Sequence, residues 1–343
     1  MNKFKLILIV LLALILTACF PSNNSAKKEI LLQGYTMGTT YNIKVVATAA
    51  EVESLGLHKQ IDTLLEQVNQ EMSTYIPNSE LSRFNALQSL EPVEVSPGFK
   101  RVLAESIRLG ELSGGKLDIT VGPLVNLWGF GPGHRPEKVP SDELLANTRL
   151  RVGLKNLHLN GNKLSKDIPN LYVDLSTTAK GYGVDVVAEL IEANGIHNYL
   201  VEIGGELRVK GFKHTGELWA IAIERPIFDP LGDHRAAQQV IIPKDNAVAT
   251  AGDYRIYFEE DGQRFSHIID PDTGKPINHN LVSVTVIAPL SMTADGLSTT
   301  MMVMGAEEGM KFATENDIAA LFISKAENGF HEEFTVKFKQ YLK

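Results

Sequence analysis

A single cysteine constrains how this chain can fold. Cys19 is the one cysteine among 343 residues, and it directly follows an apolar run at residues 6–18 that Lys3 and Lys5 precede. Basic residues before a short apolar run are the layout of a secretory signal, and the run is shorter than the roughly 20 apolar residues that span a bilayer. An exported chain with one cysteine has no internal disulfide, so we expect its fold to rest on core packing.

Leu16 to Cys19, which are the last three residues of the apolar run and the cysteine after it, resemble the lipobox of bacterial lipoproteins. In a lipobox the cysteine is lipidated and becomes the new N-terminus. The resemblance implies a signal peptide at residues 1–18, a lipidated cysteine with a polar tether at 19–29, and a folded body at 30–343. It places that body on the periplasmic side of the cell inner membrane. An ordinary cleaved signal with an incidental cysteine is the alternative interpretation.

The composition is that of an ordinary globular protein. The chain is 44% hydrophobic and 22% charged, with a net charge of −8, and these values leave ample material for a core. No basic stripe is present to neutralise phosphates along a polymer, so the charge balance excludes a nucleic-acid partner.

Turn signals predict that most neighbouring strands are joined as hairpins. Asn160-Gly161, Gly204-Gly205 and Asp261-Gly262 each separate two strand-like stretches, and residues 29–47 form two strands around a glycine-containing turn. Hairpins interleaved with helices favour the α+β class over a doubly wound parallel sheet. No linker rich in Pro, Gly or Ser divides the body, so we expect a single compact catalytic unit.

Helical spacing and capping signals predict the main helices. Apolar residues recur at helical spacing over 57–74, Ser96-Pro97 opens a helix that ends at Gly114-Gly115, and a further helix covers about 178–193. We expect a strand at 170–176 to lead into this last helix.

The stretch "TADGLSTTMMVMG", residues 293–305, is the first candidate for chemistry. Ser298 and Thr299 lie three and four residues after Asp295, so in a helix the three oxygens share one face. Mg²⁺ prefers oxygen ligands and is commonly completed by substrate phosphates, so this face is a candidate cation site. The alternative is structural: Asp295 or Thr293 caps the helix, and the two hydroxyls have no task.

The stretch "VDLSTTAKGYGVD", residues 173–185, is a candidate anion site. We expect a strand to end at Asp174 and a helix to begin near Lys180-Gly181. The free N–H groups of a helix start and an adjacent lysine favour phosphate. A plain strand-to-helix turn remains the alternative.

Two further stretches carry polar groups beside apolar ones. In residues 113–133, Gly114-Gly115 permits a close approach of the backbone to a ligand, and Asp118 follows in a strand-like run before an irregular apolar wall. In residues 266–277, His267 lies on the edge strand of a hairpin beside an Asp-Pro turn. A buried loop and a structural histidine are the respective alternatives.

Seven motifs in this order resemble one family, the ApbE-type FAD:protein FMN transferases. They are "YTMGTTY" (35–41), "MSTYIPNSELSRFN" (72–85), "SGGKLDITVGPL" (113–124), "VDLSTTAKGYGVD" (173–185), "VEIGGELRVKG" (201–211), "SHIIDPDTGKPI" (266–277) and "TADGLSTTMMVMG" (293–305). The resemblance implies a T-fold-like α+β architecture and Mg²⁺-dependent transfer of FMN from FAD to a Thr or Ser hydroxyl of a partner protein, with release of AMP. It implies as partners subunits of the Na⁺-pumping NADH:quinone reductase and of Rnf-type complexes.

The resemblance also implies roles for individual residues. The positions that match FAD contacts are Met37 and Tyr75 on the flavin side, Lys116, Leu117 and Asp118 on the adenosine side, and Asp174, Lys180 and Ile269.

The positions that match the metal site are Thr177, Asp295, Ser298 and Thr299. His267 is expected to be the general base or a phosphate contact, and Asp295 could share that role. The chain departs from many relatives, which have Gly-Gly where Ser176-Thr177 stands here.

Two other functions are compatible with these residues. A Mg²⁺-dependent FAD pyrophosphatase would use water in place of the protein hydroxyl and would release FMN and AMP. A non-catalytic flavin-binding lipoprotein would retain FAD intact.

Overall fold

The computed structural model describes residues 26–132, 139–227 and 236–343. The predicted signal peptide, Cys19 and most of the tether therefore lie outside the described residues. The first strand begins at Lys28, one residue before the predicted start at Glu29. Within the described ranges, every helix is too short or too polar to cross a lipid bilayer.

The strands are described first, because they form the centre of the fold. In chain order they are β1 (Lys28–Thr36), β2 (Thr39–Ala47), β3 (Val93–Glu94), β4 (Leu157–Asn160), β5 (Lys163–Lys166), β6 (Tyr199–Ile203), β7 (Glu206–Lys210), β8 (Ile221–Glu224), β9 (Ala237–Ile241), β10 (Ala247–Gly252), β11 (Tyr257–Glu260), β12 (Gln263–Ser266), β13 (Ile269–Asp270), β14 (Lys275–Pro276), β15 (Leu281–Ala288), β16 (Ala319–Ala326) and β17 (Gly329–Phe334).

An eight-stranded sheet has the order β1-β2-β6-β7-β10-β15-β16-β17, and every neighbouring pair in it is antiparallel. The remaining strands form one three-stranded sheet, β3-β5-β4, and the three pairs β8-β9, β11-β12 and β13-β14. The α+β class predicted from the hairpin signals is confirmed.

The helices follow the capping signals in the sequence. They are α1 (Ala49–Leu55), α2 (Leu57–Met72), α3 (Glu80–Ala86), α4 (Pro97–Leu112), α5 (Gly122–Leu127), α6 (Asp142–Arg149), α7 (Ala179–Ala193) and α8 (Ser291–Glu315), with short 3₁₀ turns at Leu154–Asn156 and Phe338–Tyr341. The hydroxyl of Ser96 accepts from the N–H of Phe99 at the start of α4, as its sequence predicts.

The core has two layers on opposite faces of the main sheet. On one face, Leu65 of α2 and Val187 of α7 share a cluster with Ile43, and α8 buries its methionines against β15 and β16. On the other face, Trp219 and the C-terminal segment cover the sheet. All eight residues of β15 are buried, and six of them are apolar, the exceptions being Ser283 and Thr285.

Two local predictions are wrong. Residues 170–176 are not a strand; this extended segment instead passes beside residue 119, where the N–H of Asp174 donates to the carbonyl of Ile119 at 2.7 Å. The strand-like run at Asp118 is also absent, since residues 118–120 form turns that lead into α5.

Helices α7 and α8 meet closely where each begins. A Cβ atom at Gly181 would lie 2.5 Å from the carbonyl oxygen of Ser291 and 2.6 Å from the backbone nitrogen of Met292. Glycine at this position therefore permits an approach that a side chain would prevent. The candidate site lies beside this crossing.

Candidate functional site

A cavity of about 620 Å³ opens beside the starts of α7 and α8. Its volume is within the range of small-molecule and cofactor sites. Except for Ser298, each residue that the sequence predicted to contact FAD or the metal lines this cavity: Met37, Tyr75, Lys116, Leu117, Asp118, Asp174, Thr177, Lys180, His267, Ile269, Asp295 and Thr299.

Asp295 lies one turn inside α8, because this helix begins at Ser291. The carboxylate is buried, and Oδ2 accepts from the N–H of Gly181 in the first turn of α7 at 3.1 Å. The hydroxyl of Thr293 donates to Glu105 instead. The structural alternative, in which Asp295 or Thr293 caps its own helix, is therefore wrong: Asp295 caps the neighbouring helix.

The predicted metal face is only partly assembled. Thr299 lines the cavity with Asp295, and Thr177 approaches from the segment before α7. Ser298 is turned away, because its hydroxyl donates to the carbonyl of Asp295 at 2.9 Å within the helix, and it is not among the described residues that line the cavity. The structure thus does not support Ser298 as a side-chain ligand.

The donor set suits a hard cation that a ligand completes. No group of three His, Cys, Asp or Glu side chains that could hold a metal occurs in the described part of the chain. However, Oγ1 of Thr177 is buried without a hydrogen-bond partner among the described residues, which is costly unless a ligand supplies one. One carboxylate with two hydroxyl oxygens fits a Mg²⁺ ion whose remaining ligands come from the phosphates of a substrate.

Lys180 is held between two carboxylates. Its Nζ donates to Oε1 of Glu206 at 2.5 Å. Burial alone would lower the pKa of Lys180, but the charges of Asp295 and Glu206 raise it above its ordinary value. Burial raises the pKa of Asp295 to about 8, against the opposing charge of Lys180. The ammonium group is therefore a permanent positive charge on the cavity wall.

Glu206 is a site residue that the sequence reasoning missed. It lines the cavity, it is buried, and its Oε2 has no hydrogen-bond partner within the described ranges. The available signal was an acidic residue directly after the Gly204-Gly205 turn, at a position where the strand pattern requires burial.

His267 follows β12 directly and borders the cavity. Its Nδ1 lies 3.0 Å from the carbonyl oxygen of Ile256; because a carbonyl can only accept, Nδ1 carries the proton and Nε2 of the neutral ring is an acceptor. Burial, and secondarily the charge of Lys180, lowers the pKa of His267 below its ordinary value. The ring is thus neutral at pH 7 and able to take a proton.

The adenosine-side candidates differ in their hydrogen bonds. The carboxylate of Asp118 already accepts from the N–H and hydroxyl of Thr120 and from the N–H of Leu154, which uses three of its roughly four acceptor positions. Asp118 therefore orders its own loop, and about one acceptor position stays open towards the cavity that it lines. Lys116 is exposed to the cavity and donates to Asp272 at 2.8 Å.

The flavin-side candidates differ in exposure. Tyr75 is 69% exposed at the rim of the cavity, so its ring is free to cover a flat ligand. Met37 occupies the β1–β2 turn with a positive φ of 50°, and Ile269 is buried in β13. Asp174 accepts from the N–H of Ser176 at 2.9 Å, which shapes the turn before α7.

Comparison with known proteins gives one consistent result. Residues 37–322 match the ApbE family. The chain is 55% identical over 315 residues to a FAD:protein FMN transferase of Vibrio cholerae, covering 92% of this chain and 93% of the relative. It is 48% identical over 340 residues to one of Haemophilus influenzae, covering 97% and 96%. The solved flavin transferase ApbE from Vibrio cholerae superposes with a TM-score of 0.85 at 53% identity, covering 92% of this chain and 100% of that one.

Proposed function

This chain belongs to the ApbE family, and from that premise we propose that it is a Mg²⁺-dependent FAD:protein FMN transferase. The substrates are FAD and a Thr or Ser hydroxyl of a partner protein. The acceptor oxygen bonds to the phosphorus of the FMN half, the bond from that phosphorus to the bridging oxygen breaks, and AMP leaves with that oxygen. The acceptor therefore gains FMN less one water.

One observation carries the proposal: the starts of α7 and α8 converge on a cavity wall that also holds Lys180 and Asp295. The ammonium group of Lys180 at the start of α7 favours phosphate, and the carboxylate of Asp295 beside it favours a divalent cation that phosphate completes. A pyrophosphate with its metal ion matches this combination of charges.

The residues of the chain divide the chemistry between them. Lys180 neutralises charge on the phosphoryl oxygens. Asp295, Thr299 and Thr177 would hold Mg²⁺, which when bound supplies Lewis-acid stabilisation of the phosphates. Nε2 of His267 accepts the proton of the acceptor hydroxyl, since the ring is neutral and its Nδ1 is fixed by Ile256.

The two ends of FAD occupy different parts of the cavity. Met37 and Tyr75 contact the flavin, where a thioether and an aromatic ring suit a flat ring system. Lys116 and Leu117 contact the adenosine side, and the turn at Asp174 and the side chain of Ile269 complete the wall.

The site works outside the cytoplasm in this proposal. The signal-like run and the lipobox at Cys19 support lipidation and anchoring at the periplasmic face of the inner membrane. The acceptors are then membrane redox subunits, of the Na⁺-pumping NADH:quinone reductase or Rnf type, that present a hydroxyl on the same side.

A mass measurement tests the proposal against hydrolysis. The protein is incubated with FAD, Mg²⁺ and an acceptor domain carrying an Asp-x-x-Thr-x-Ala-Thr segment, and the intact acceptor mass is recorded. The matched control is the same domain with valine in place of the acceptor threonine, which has the same shape but no hydroxyl. Transfer predicts a gain of FMN less water on the threonine domain alone. Free FMN and AMP with an unmodified acceptor would identify a pyrophosphatase, and intact FAD would identify a flavin-binding protein.

A further inference from the structure

Asp185 is a fully buried residue of α7 whose carboxylate accepts hydrogen bonds from the backbone of another helix, α8. Its Oδ1 accepts from the N–H of Ser291 and its Oδ2 from the N–H of Met292, both at 2.9 Å. Arg208 of β7 donates to the same Oδ1 at 3.2 Å. Asp185 and Arg208 are not among the described residues that line the cavity, so neither has a contact with a ligand there.

The sequence of α8 explains why an outside carboxylate is needed. The N-cap residue is Leu290, whose side chain has no hydrogen-bond acceptor. The first N–H groups of a helix have no partner within it, and burying them unpaired is costly. Asp185 satisfies two of them, so it fixes where α8 begins.

The arrangement is reciprocal. Asp185 caps the start of α8, and Asp295 of α8 accepts from Gly181 at the start of α7. Gly181 and Asp185 are four residues apart, as are Ser291 and Asp295, so each helix contributes its contacts from one face and one turn. The close crossing at Gly181 leaves little space for the two helices to shift.

We propose that Asp185, held by Arg208, is a positioning residue that sets the place of Asp295 and thereby the affinity of the site for its divalent cation. The inference rests on the proposed function, since it assigns the cation to Asp295. Removing the carboxylate leaves the Asp295 side chain intact but frees the first turn of α8 to move relative to Lys180.

The test is a cation titration with a matched control in the same helix. Mn²⁺ replaces Mg²⁺ because electron paramagnetic resonance measures free Mn²⁺ directly, and the titration is done in the presence of FAD. Asp185→Asn is compared with Glu192→Gln, because Glu192 is also on α7 and pairs with Arg208 at 3.5 Å and Lys210 at 2.7 Å. Its partners in the described chain, which also include the hydroxyl of Tyr199, lie outside α8.

Asp185→Asn should raise the Mn²⁺ dissociation constant about 10-fold or more, the usual effect of losing a group that orients a metal ligand. Glu192→Gln should leave it within about twofold of the wild type on the same scale. FAD affinity without metal, measured from flavin fluorescence, should change much less than Mn²⁺ affinity in Asp185→Asn. A general loss of structure would weaken both, so this split separates positioning from mere stability.

Each result has one meaning. An unchanged Mn²⁺ dissociation constant in folded Asp185→Asn, or equal shifts in both variants, would overturn the inference. If Asp185→Asn does not fold, Arg208→Lys tests the same contact, because it keeps the charge but loses the planar donor: a raised dissociation constant supports the inference and an unchanged one refutes it. Failure of the wild type to bind Mn²⁺ with FAD would instead contradict the proposed function.

Discussion

Gly181→Ala tests the claim that the close crossing of α7 and α8 builds the site. The new methyl group would lie 2.5 Å from the carbonyl oxygen of Ser291 and 2.6 Å from the backbone of Met292. Both neighbours are backbone, so neither can move aside by changing a rotamer. The helices must separate, and the hydrogen bond from Gly181 to Asp295 must lengthen.

The magnitude follows from three contributions. Overpacking a close contact costs about 1–3 kcal/mol, and leaving the buried N–H of Gly181 poorly paired costs about 1–3 kcal/mol. Alanine stabilises the helix by about 1 kcal/mol relative to glycine, because its helix propensity is higher. The net loss of unfolding free energy is about 1–5 kcal/mol, or about 2–8 °C in melting temperature for a domain of this size.

The assay pairs thermal unfolding with FMN transfer. Gly183→Ala is the matched control, since it lies in the same helix and its new methyl group would meet the flexible end of Met37 at 2.9 Å; its stability should change by about 1 kcal/mol or less. Transfer by Gly181→Ala should fall about 100-fold, the effect expected for a displacement of about 1 Å among reacting groups. Wild-type melting temperature and activity in Gly181→Ala would show that the site does not depend on the close crossing of α7 and α8.

Three further predictions concern single groups of the site. Asp295→Ala should abolish FMN transfer while circular dichroism remains that of the wild type, because it removes the carboxylate of the metal face; surviving activity with normal Mg²⁺ dependence would refute the assignment. In metal-free protein the pKa of Asp295 is about 8 in the folded state and 3.8 in the unfolded state. Between these pH values the folded state holds a proton that the unfolded state has lost, so the free energy of unfolding falls as the pH rises. Asp295→Asn should remove that fall and be more stable than the wild type at pH 9 by about 1 kcal/mol or more, which urea unfolding in EDTA at pH 6 and 9 measures; equal pH slopes would contradict it. Because the pKa of His267 is lowered, the transfer rate should stay level from pH 8 to 6.5 and decline only below, and His267→Gln should lose most activity together with that acid limb.

The elements with local signals were predictable from the sequence. The turn that joins β4 to β5 is Gly161-Asn162, one residue later than predicted, and the Asp261-Gly262 turn joins β11 to β12 as predicted. Positive φ at Gly161, Asp261 and Gly262 is encoded by the residues themselves. Ser96-Pro97 opens α4 through a different local signal, since the Ser96 hydroxyl accepts from the N–H of Phe99.

The segments that were predicted wrongly show what alternation alone does not encode. Leu171, Val173 and Leu175 are fully buried at every second position, so the pattern reported burial correctly. The alternation does not indicate that this backbone makes one backbone hydrogen bond with Ile119 and has no strand partner in the described chain. Sheet pairing depends on tertiary neighbours that the pattern does not name.

The site residues also divide into those with a local sequence signal and those without one. The helical spacing of Asp295 and Thr299 correctly placed both on the cavity side, but Ser298, one residue from Thr299, bonds its own helix. Glu206 and Asp185 were missed because their partners lie 26 and more than 100 residues away in sequence. Contacts of this kind are properties of the folded chain and have no local signature.

The most direct test of the central claim is the location of the divalent cation. Crystals of the protein grown with FAD and Mn²⁺ give an anomalous difference map in which Mn²⁺ is identified by its own scattering. Binding of the cation by Asp295 predicts one strong peak within about 2–2.5 Å of a carboxylate oxygen of this residue, beside the start of α7 and in contact with the FAD phosphates. A peak elsewhere in the molecule, or FAD phosphates bound away from Asp295 and Lys180, would contradict it.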